Sequence, residues 1–82
     1  MTIRREKDVL IVDIHGLRVV QAQIKLEDMI AACDPQIREI RVIHGCNGGT
    51  ALRDMVRALQ SPRLRSVRPD YLNDGQTILT LK

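Results

Sequence analysis

The sequence predicts an α/β domain, a two-layer sandwich with the order β-α-β-α-β-β, in which two helices pack on a mixed four-stranded sheet. Two observations carry this prediction. The apolar residues change between strand-like and helix-like spacing along the chain, and polar segments with Gly, Pro or Asn separate these runs. Alternating strands and helices favour a parallel strand pair joined by a right-handed crossover. We expect residues 1–7 to form a short N-terminal arm and residues 8–82 to form the domain.

The first half of the chain predicts a strand, a helix and a second strand. Residues 9–14 form a short run rich in β-branched side chains, which is typical of a buried strand. Over residues 18–33 the apolar positions recur at helical spacing. Asp34-Pro35 ends this helix because proline disfavours the α conformation in the residue before it. Residues 37–43 alternate between charged and apolar side chains, which predicts the second strand.

The second half begins with the most glycine-rich segment of the chain, HGCNGG at residues 44–49. Thr50 is the predicted N-cap of a second helix that ends before a Ser-Pro pair. Residues 66–71 and 76–81 predict two strands around an Asn-Asp-Gly turn, which is a hairpin signal. The last strand is therefore expected to be antiparallel to its neighbour, which makes the sheet mixed.

The composition indicates a small soluble domain with a basic segment. The chain has 82 residues, 44% of them hydrophobic, and Tyr71 is its one aromatic residue, so the core must be aliphatic. The net charge is +3, and the stretch from Arg53 to Arg68 holds five arginines and one acid. That stretch is either a solvated basic face or a site for a polyanion. Arginine suits the second role because its planar guanidinium can form two parallel hydrogen bonds with phosphate oxygens.

The apolar runs and the cysteines both indicate a cytoplasmic protein. The chain has no run long enough for a signal peptide or a membrane span, so no membrane partner is expected. Cys33 and Cys46 are expected to be free thiols, since two cysteines without a secretory signal do not make a disulfide framework. We expect a monomer or a weak dimer.

Two histidines follow the two strands that are predicted to be parallel. His15 ends the first and His44 the second, so both should lie at the same edge of the sheet, where α/β sheets bind ligands. Asp13 shares a face with His15 because alternate residues of a strand point the same way. An acid there could orient a histidine, hold a metal ion or act as a base.

Glycines, helix N-termini and arginines are expected at this same edge. Glycines let a backbone approach a ligand closely, and the positive ends of helix dipoles attract anions. Together these groups predict a phosphate-binding crevice. The candidate nucleic-acid-binding residues are Gly45, Asn47, Gly48, Gly49, Arg53, Arg57 and Arg68, and the candidate catalytic residues are Asp13, His15 and His44.

Each of these features also has a purely structural explanation. A histidine at the end of a strand is commonly a turn residue with a satisfied hydrogen bond. A short glycine loop before a helix is common in α/β folds. Asp13 within an apolar strand needs donors or a positive charge around it, and these could serve the fold alone.

Three segments resemble the small MutS-related (Smr) domain family. VDIHG at residues 12–16 resembles the L-D-x-H-G motif that opens the domain, and VIHGCNGGTALR at residues 42–53 resembles its second signature, H-G-x-G followed by another glycine and A-L-R. The closing VRPDYLNDGQTILTL is similar to the last two strands of the family. The loop here is one residue longer than the usual motif, and Asn47 stands where a second glycine is common.

The resemblance implies a two-layer β-α-β-α-β-β domain that binds nucleic acid. Some members of the family nick DNA and others cleave RNA, including messenger RNA on stalled ribosomes. The resemblance further implies that Asp13 and His15 are the nuclease candidates and that the loop of residues 44–49 contacts nucleic acid.

Three functions follow from these observations. A phosphodiesterase would use His15 and His44 as general base and general acid, with Asp13 fixing one imidazole and Arg53 stabilising the developing charge. RNA would supply its own 2′-hydroxyl as nucleophile, whereas DNA needs water and favours a Mg²⁺ held by Asp13. A binding module without catalysis would hold a phosphate backbone, and without Phe or Trp it has no stacking platform of the RRM or OB-fold kind. A third possibility is docking of the basic face on an acidic protein or on the ribosome.

Overall fold

The computed structural model describes residues 1–46 and 49–82. Those residues form one five-stranded mixed sheet, with the strand order β1-β2-β3-β5-β4, and two helices. In chain order the elements are β1 (Thr2–Glu6), β2 (Val9–Asp13), α1 (Val19–Ala32), β3 (Glu39–Ile43), α2 (Ala51–Arg57), β4 (Leu64–Pro69) and β5 (Gln76–Leu81). The predicted α/β class with a mixed sheet is confirmed, whereas the predicted count of four strands was wrong.

The additional strand, β1, lies in the segment that we expected to be a short N-terminal arm. It pairs antiparallel with β2 along its whole length, from Thr2 to Glu6. The chain then reverses at Lys7, whose φ of 56° lies in the left-handed region. All five residues of β1 are exposed. An edge strand of this kind needs no alternation of apolar and polar residues to form, which is why the charged sequence did not predict it.

The strand pairs bring three strand ends to one edge of the sheet. β2 and β3 are parallel, with α1 between them in the chain, as predicted. β4 and β5 form the predicted antiparallel hairpin, and β5 also pairs antiparallel with β3. As a result β2 and β3 end, and β5 begins, at the same edge, which is called the top edge below.

Both helices bury aliphatic side chains against one face of the sheet. The core formed in this way contains Leu10, Val12, Ile14, Ala22, Leu26, Ile30, Ile37, Ile40, Val42, Val56, Leu59, Leu79 and Leu81. The aliphatic core predicted from the composition is therefore confirmed. The opposite face carries the alternate residues of the strands, including Arg41 in β3 and Arg68 in β4.

The C-terminal end of α1 is held by an arginine from a distant part of the chain. α1 has no basic residue in its last turn. Nη1 of Arg63 donates hydrogen bonds to the carbonyl oxygens of Ile30 (2.9 Å) and Cys33 (3.0 Å). Carbonyls at this end of a helix lack partners within the helix and carry partial negative charge, so a guanidinium stabilises them. Arg63 therefore belongs to the edge opposite the top edge and does not contribute to a site there.

Within residues 1–46 and 49–82, neither helix has the length and apolar character needed to cross a membrane. Cys33 and Cys46 are both free thiols, as expected.

Candidate functional site

Backbone hydrogen bonds join the three strand ends at the top edge. The amide of Ile14 donates to the carbonyl of Ile43 at 2.9 Å, which extends the parallel pair by one step. The amides of His44 and Gly45 both donate to the carbonyl of Gly75, at 2.9 and 3.1 Å. The segments that follow β2 and β3 and the one that precedes β5 are therefore held in one rigid arrangement.

A crevice of about 920 Å³ opens at this edge. Its walls come from the turn after β2, the start of α1, the loop after β3, the start of α2 and the loop before β5. His15 and His44 both line it, as their positions at the ends of parallel strands predicted. Gly45 and Gly49 line it as well, and a second, smaller depression beside the loop includes Arg53 and Arg57.

Asp13 holds His15 in a defined orientation. Oδ1 of Asp13 accepts hydrogen bonds from the backbone amide of His15, at 3.1 Å, and from Nδ1 of its ring. An Nδ1–H that donates to a carboxylate leaves Nε2 as the unprotonated nitrogen of the neutral imidazole. The His15 side chain is 70% exposed and that of Asp13 is 29% exposed. Within residues 1–46 and 49–82 Nε2 of His15 has no hydrogen-bond partner, so the pair presents this nitrogen at the crevice.

The Asp13 carboxylate is ionised at neutral pH. Its partial burial acts to raise the pKa, but the hydrogen bonds from the ring and the amide of His15, and the positive charge of the ring when it is protonated, outweigh this effect. The pKa of Asp13 is consequently lowered from its ordinary value of 3.8. An ionised carboxylate is the form that can orient an imidazole and stabilise it once it has taken up a proton.

Two glycines bring His15 and the loop after β3 together. The amide of Leu17 donates to the carbonyl of Ile14 at 3.1 Å, so residues 14–17 form a β-turn with His15 and Gly16 at its centre. Gly16 has a φ of 80°, which the third position of such a turn requires and which side chains disfavour. Gly45, with a φ of 84°, lies so close that a Cβ added to it would be 3.7 Å from Cβ of His15.

His44 is buried, and both of its ring nitrogens are hydrogen-bonded. Nδ1 lies 2.8 Å from the carbonyl oxygen of Gly45, and Nε2 lies 2.9 Å from Oγ1 of Thr77. Nε of Arg57 donates to the same Oγ1 at 3.3 Å. Because a carbonyl only accepts, Nδ1 carries the proton, and Nε2 must accept from the Thr77 hydroxyl. The result is a directed chain of hydrogen bonds from Arg57 through Thr77 and His44 to Gly45, called the His44 relay below.

The surroundings of His44 favour its neutral form. Burial is the largest effect and lowers its pKa below the ordinary 6.5. The hydrogen bond to Gly45 opposes this shift, and the positive charges of Arg57 and Arg53 reinforce it. His15 and His44, which looked equivalent in the sequence, are therefore one exposed and one buried imidazole.

The arginines of the basic stretch have separate positions. Arg53 lies beside the loop and contacts Asp54, with Nη2 to Oδ1 at 3.3 Å. Arg57 is part of the His44 relay, and Arg63 caps α1 at the opposite edge. Arg68 is exposed on the sheet face opposite the helices and lines neither depression. The stretch from Arg53 to Arg68 is thus not one continuous basic surface.

The start of α2 differs from its prediction. Thr50 precedes the helix, as expected, but it caps no backbone amide with its side chain. Its hydroxyl donates instead to Oδ2 of Asp54 at 3.0 Å. Asn47 and Gly48, two of the predicted nucleic-acid-binding residues, lie outside the described residues.

Sequence reasoning missed two contributors to the site. Thr77 is fully buried in β5 and completes the His44 relay. The sequence feature that could have indicated Thr77 is a hydroxyl side chain at a strand position on the same face as Leu79 and Leu81. Asn73, from the loop between β4 and β5, lines the crevice, and nothing in the sequence connected that loop with the histidines.

Among the residues that the structure describes, no three His, Cys, Asp or Glu side chains lie close enough together to hold a metal ion.

Comparison with known protein families identifies the family of this chain. The family described as Smr domain matches residues 12–82, which include both the DIHG turn and the loop after β3. The comparison with curated proteins gave no match, and neither did the comparison with solved structures. Smr domains are a nucleic-acid-binding family, and many have endonuclease activity. The match spans nearly the whole sequence, from the end of β2 to the last residue, and the chain belongs to the Smr domain family.

Proposed function

We propose that this Smr domain binds nucleic acid at the top edge and cleaves its phosphodiester bonds with His15 as general base. The observation that carries the proposal is the Asp13–His15 pair, whose free Nε2 stands at the crevice. A general base needs an unprotonated nitrogen within reach of the proton that it removes, and a fixed orientation increases its effect. Asp13 supplies that orientation through its hydrogen bond to Nδ1.

On RNA the reaction needs no further nucleophile. Nε2 of His15 takes the proton of a 2′-hydroxyl, and the oxygen attacks the adjacent phosphorus. The bond from phosphorus to the 5′-oxygen breaks, and that oxygen takes up a proton from solvent water. The products are a 2′,3′-cyclic phosphate and a free 5′-hydroxyl, and the imidazolium of His15 then returns its proton to solvent. The Asp13 carboxylate stabilises the imidazolium while it exists.

The loop after β3 and the arginines beside it bind the phosphate. Gly45 and Gly49 line both depressions, so a phosphate can approach the backbone there. Arg53 and Arg57 border the smaller depression and supply the positive charge. Both would also oppose the negative charge that develops on the phosphoryl oxygens as the nucleophile attacks.

His44 is better suited to positioning than to proton transfer. To act as the general acid that its sequence position suggested, it would have to gain a proton and give up its bond from Thr77. Burial and two nearby arginines disfavour the protonated ring. We propose that neutral His44 holds the carbonyl of Gly45 in place through Nδ1.

On DNA there is no 2′-hydroxyl, so water must attack. Oδ1 of Asp13 is engaged by His15, which leaves Oδ2 as the oxygen that could reach a Mg²⁺ carried mainly by substrate phosphates. RNA cleavage requires neither a metal ion nor an attacking water, and we therefore propose RNA as the preferred substrate.

A binding module without catalysis is the second candidate. The observation that favours it is the burial of His44, because the described part of the site then offers one free imidazole rather than two. Such a module would hold the same phosphates, and its affinity would fall with salt by a log–log slope of about −0.7 per phosphate contact on single strands and about −0.9 on duplex DNA.

The test uses end-labelled single-stranded RNA, hairpin RNA and duplex DNA, each with Mg²⁺ or with EDTA. Asp13→Asn and His15→Gln keep the size of each side chain and remove its charge or its basicity, and circular dichroism checks their folding. We expect RNA cleavage in EDTA that both variants lose while binding remains. Salt-sensitive binding without cleavage would support the binding module in place of the nuclease. Cleavage undiminished in His15→Gln would refute the mechanism. A protein that binds none of the three substrates at low salt would refute both.

A further inference from the structure

The loop between β4 and β5, residues 70–75, exposes the two most accessible large hydrophobic side chains in the described structure. Tyr71 is 84% exposed and Leu72 is 98% exposed. Tyr71 is also the only aromatic residue of the chain. An aromatic ring in such a position contributes nothing to the core, and its face is accessible to a partner.

The loop holds these side chains outward through its own hydrogen bonds. The amide of Leu72 donates to Oδ1 of Asp70 at 2.9 Å, and the amide of Asn73 donates to the carbonyl of Asp70 at 3.1 Å. The amide of Gly75 donates to Oδ1 of Asn73 at 2.9 Å. These bonds fix the backbone on both sides of Tyr71. The ring is therefore carried on an ordered support, which reduces the entropy lost when it binds a partner.

The same loop is built into the candidate site. Asn73 and Gly75 line the crevice, and the carbonyl of Gly75 holds the amides of His44 and Gly45. Pro69 and Asp74 line the smaller depression that contains Arg53 and Arg57. Pro69, two residues before Tyr71, thus borders the smaller depression, and Asn73, two residues after it, borders the crevice. Two residues of chain span at most about 7 Å, so the backbone of Tyr71 lies within that distance of a residue that borders each depression.

We propose that Tyr71 stacks on an unpaired base of a single-stranded nucleic acid whose phosphate occupies the crevice. This inference rests on the proposed function and names the substrate class that the site prefers. An exposed ring offers its face to any base, so the contact carries little sequence preference. A paired base is already stacked on both sides, so the ring cannot reach its face in a duplex. Tyr71 therefore favours single strands over duplexes.

The chain offers a direct readout of this contact. With no Trp and a single Tyr, all of its tyrosine fluorescence comes from residue 71. A base stacked on the ring quenches that emission, whereas a phosphate bound in the crevice alone does not cover the ring. Leu72 provides the matched control because it is at least as exposed in the same loop but has no aromatic face.

The experiment titrates the protein with oligonucleotides of one sequence as single-stranded RNA, as single-stranded DNA and as the corresponding duplexes. Anisotropy of a label on the oligonucleotide measures affinity, and tyrosine emission measures stacking. We expect emission to fall on binding of single strands and to stay level with duplexes. Tyr71→Ala should weaken single-strand binding by about 5- to 150-fold, the effect of losing one stacked base, while Tyr71→Phe and Leu72→Ala should bind nearly as the wild type does.

The outcomes separate the inference from the function on which it rests. Quenching by RNA but not by DNA supports the stacking and assigns the substrate to RNA, and quenching by both supports stacking on either. Single-strand binding with unchanged emission, and with equal affinity in Tyr71→Ala, overturns the stacking while the proposed function stands. Binding of no nucleic acid by the wild type overturns both.

Discussion

Replacing Thr77 by valine tests the His44 relay most directly. Valine has nearly the shape of threonine, so the substitution removes the hydroxyl without opening a cavity. Thr77 is fully buried, and its hydroxyl is hydrogen-bonded to Nε2 of His44 at 2.9 Å and accepts from Arg57 at 3.3 Å. The variant leaves Nε2 of a buried imidazole without the donor that it requires.

The expected loss is a substantial part of the stability of the domain. A buried polar atom left without its partner costs about 1–3 kcal/mol. An 82-residue domain at about 0.05–0.15 kcal/mol per residue has a free energy of unfolding of about 4–12 kcal/mol. For a domain of this size each kcal/mol lowers the melting temperature by roughly 4–8 °C.

The assay is urea unfolding followed by far-ultraviolet circular dichroism, because Tyr71 is exposed in a loop and does not report on the core. Thr80→Val is the matched control: it makes the same change in the same strand, on the more exposed face opposite the helices. We expect Thr77→Val to unfold at clearly lower urea than Thr80→Val. Equal midpoints for the two variants would show that the His44 relay contributes nothing and would refute this reasoning.

Three further predictions concern His44, Arg63 and Asp13. Burial lowers the pKa of His44 below the ordinary value of 6.5. As the pH falls, the unfolded chain therefore binds a proton at this residue before the folded chain does. The free energy of unfolding should therefore fall between about pH 7.5 and about pH 5, and urea midpoints should fall less over this range in His44→Gln. Arg63→Met should lower the free energy of unfolding by about 1–3 kcal/mol, since it leaves carbonyls of α1 without their charged donor, whereas Arg65→Met on the exposed part of β4 should change it little. Equal stability of these two variants would contradict the capping role. Asp13→Asn should reduce RNA cleavage by up to about 10⁴-fold, the effect of losing a carboxylate that orients a general-base histidine. Binding measured by anisotropy should be unchanged, and a fall in affinity that matches the fall in rate would contradict an orienting role.

The sequence by itself determined the architecture around the crevice. The change of hydrophobic period along the chain predicts both helices and four of the strands, because burial of one face imposes the period of each element. A strand–helix–strand order within one small sheet then favours a parallel pair, so His15 and His44 had to meet at one edge.

Only the tertiary structure decided which of these residues are available for chemistry. β1 escaped prediction because an exposed edge strand is held by backbone hydrogen bonds, which leave no pattern of apolar side chains. His44 and His15 both follow strands, yet His44 is covered by Thr77 and by the loop before β5, which lie some 30 residues further along the chain. The arginines from residue 53 to residue 68 are neighbours in sequence but not in space, because the chain crosses from the top edge to the opposite edge between them. The burial of a side chain and its hydrogen-bond partners depend on such long-range packing, which the local sequence does not predict.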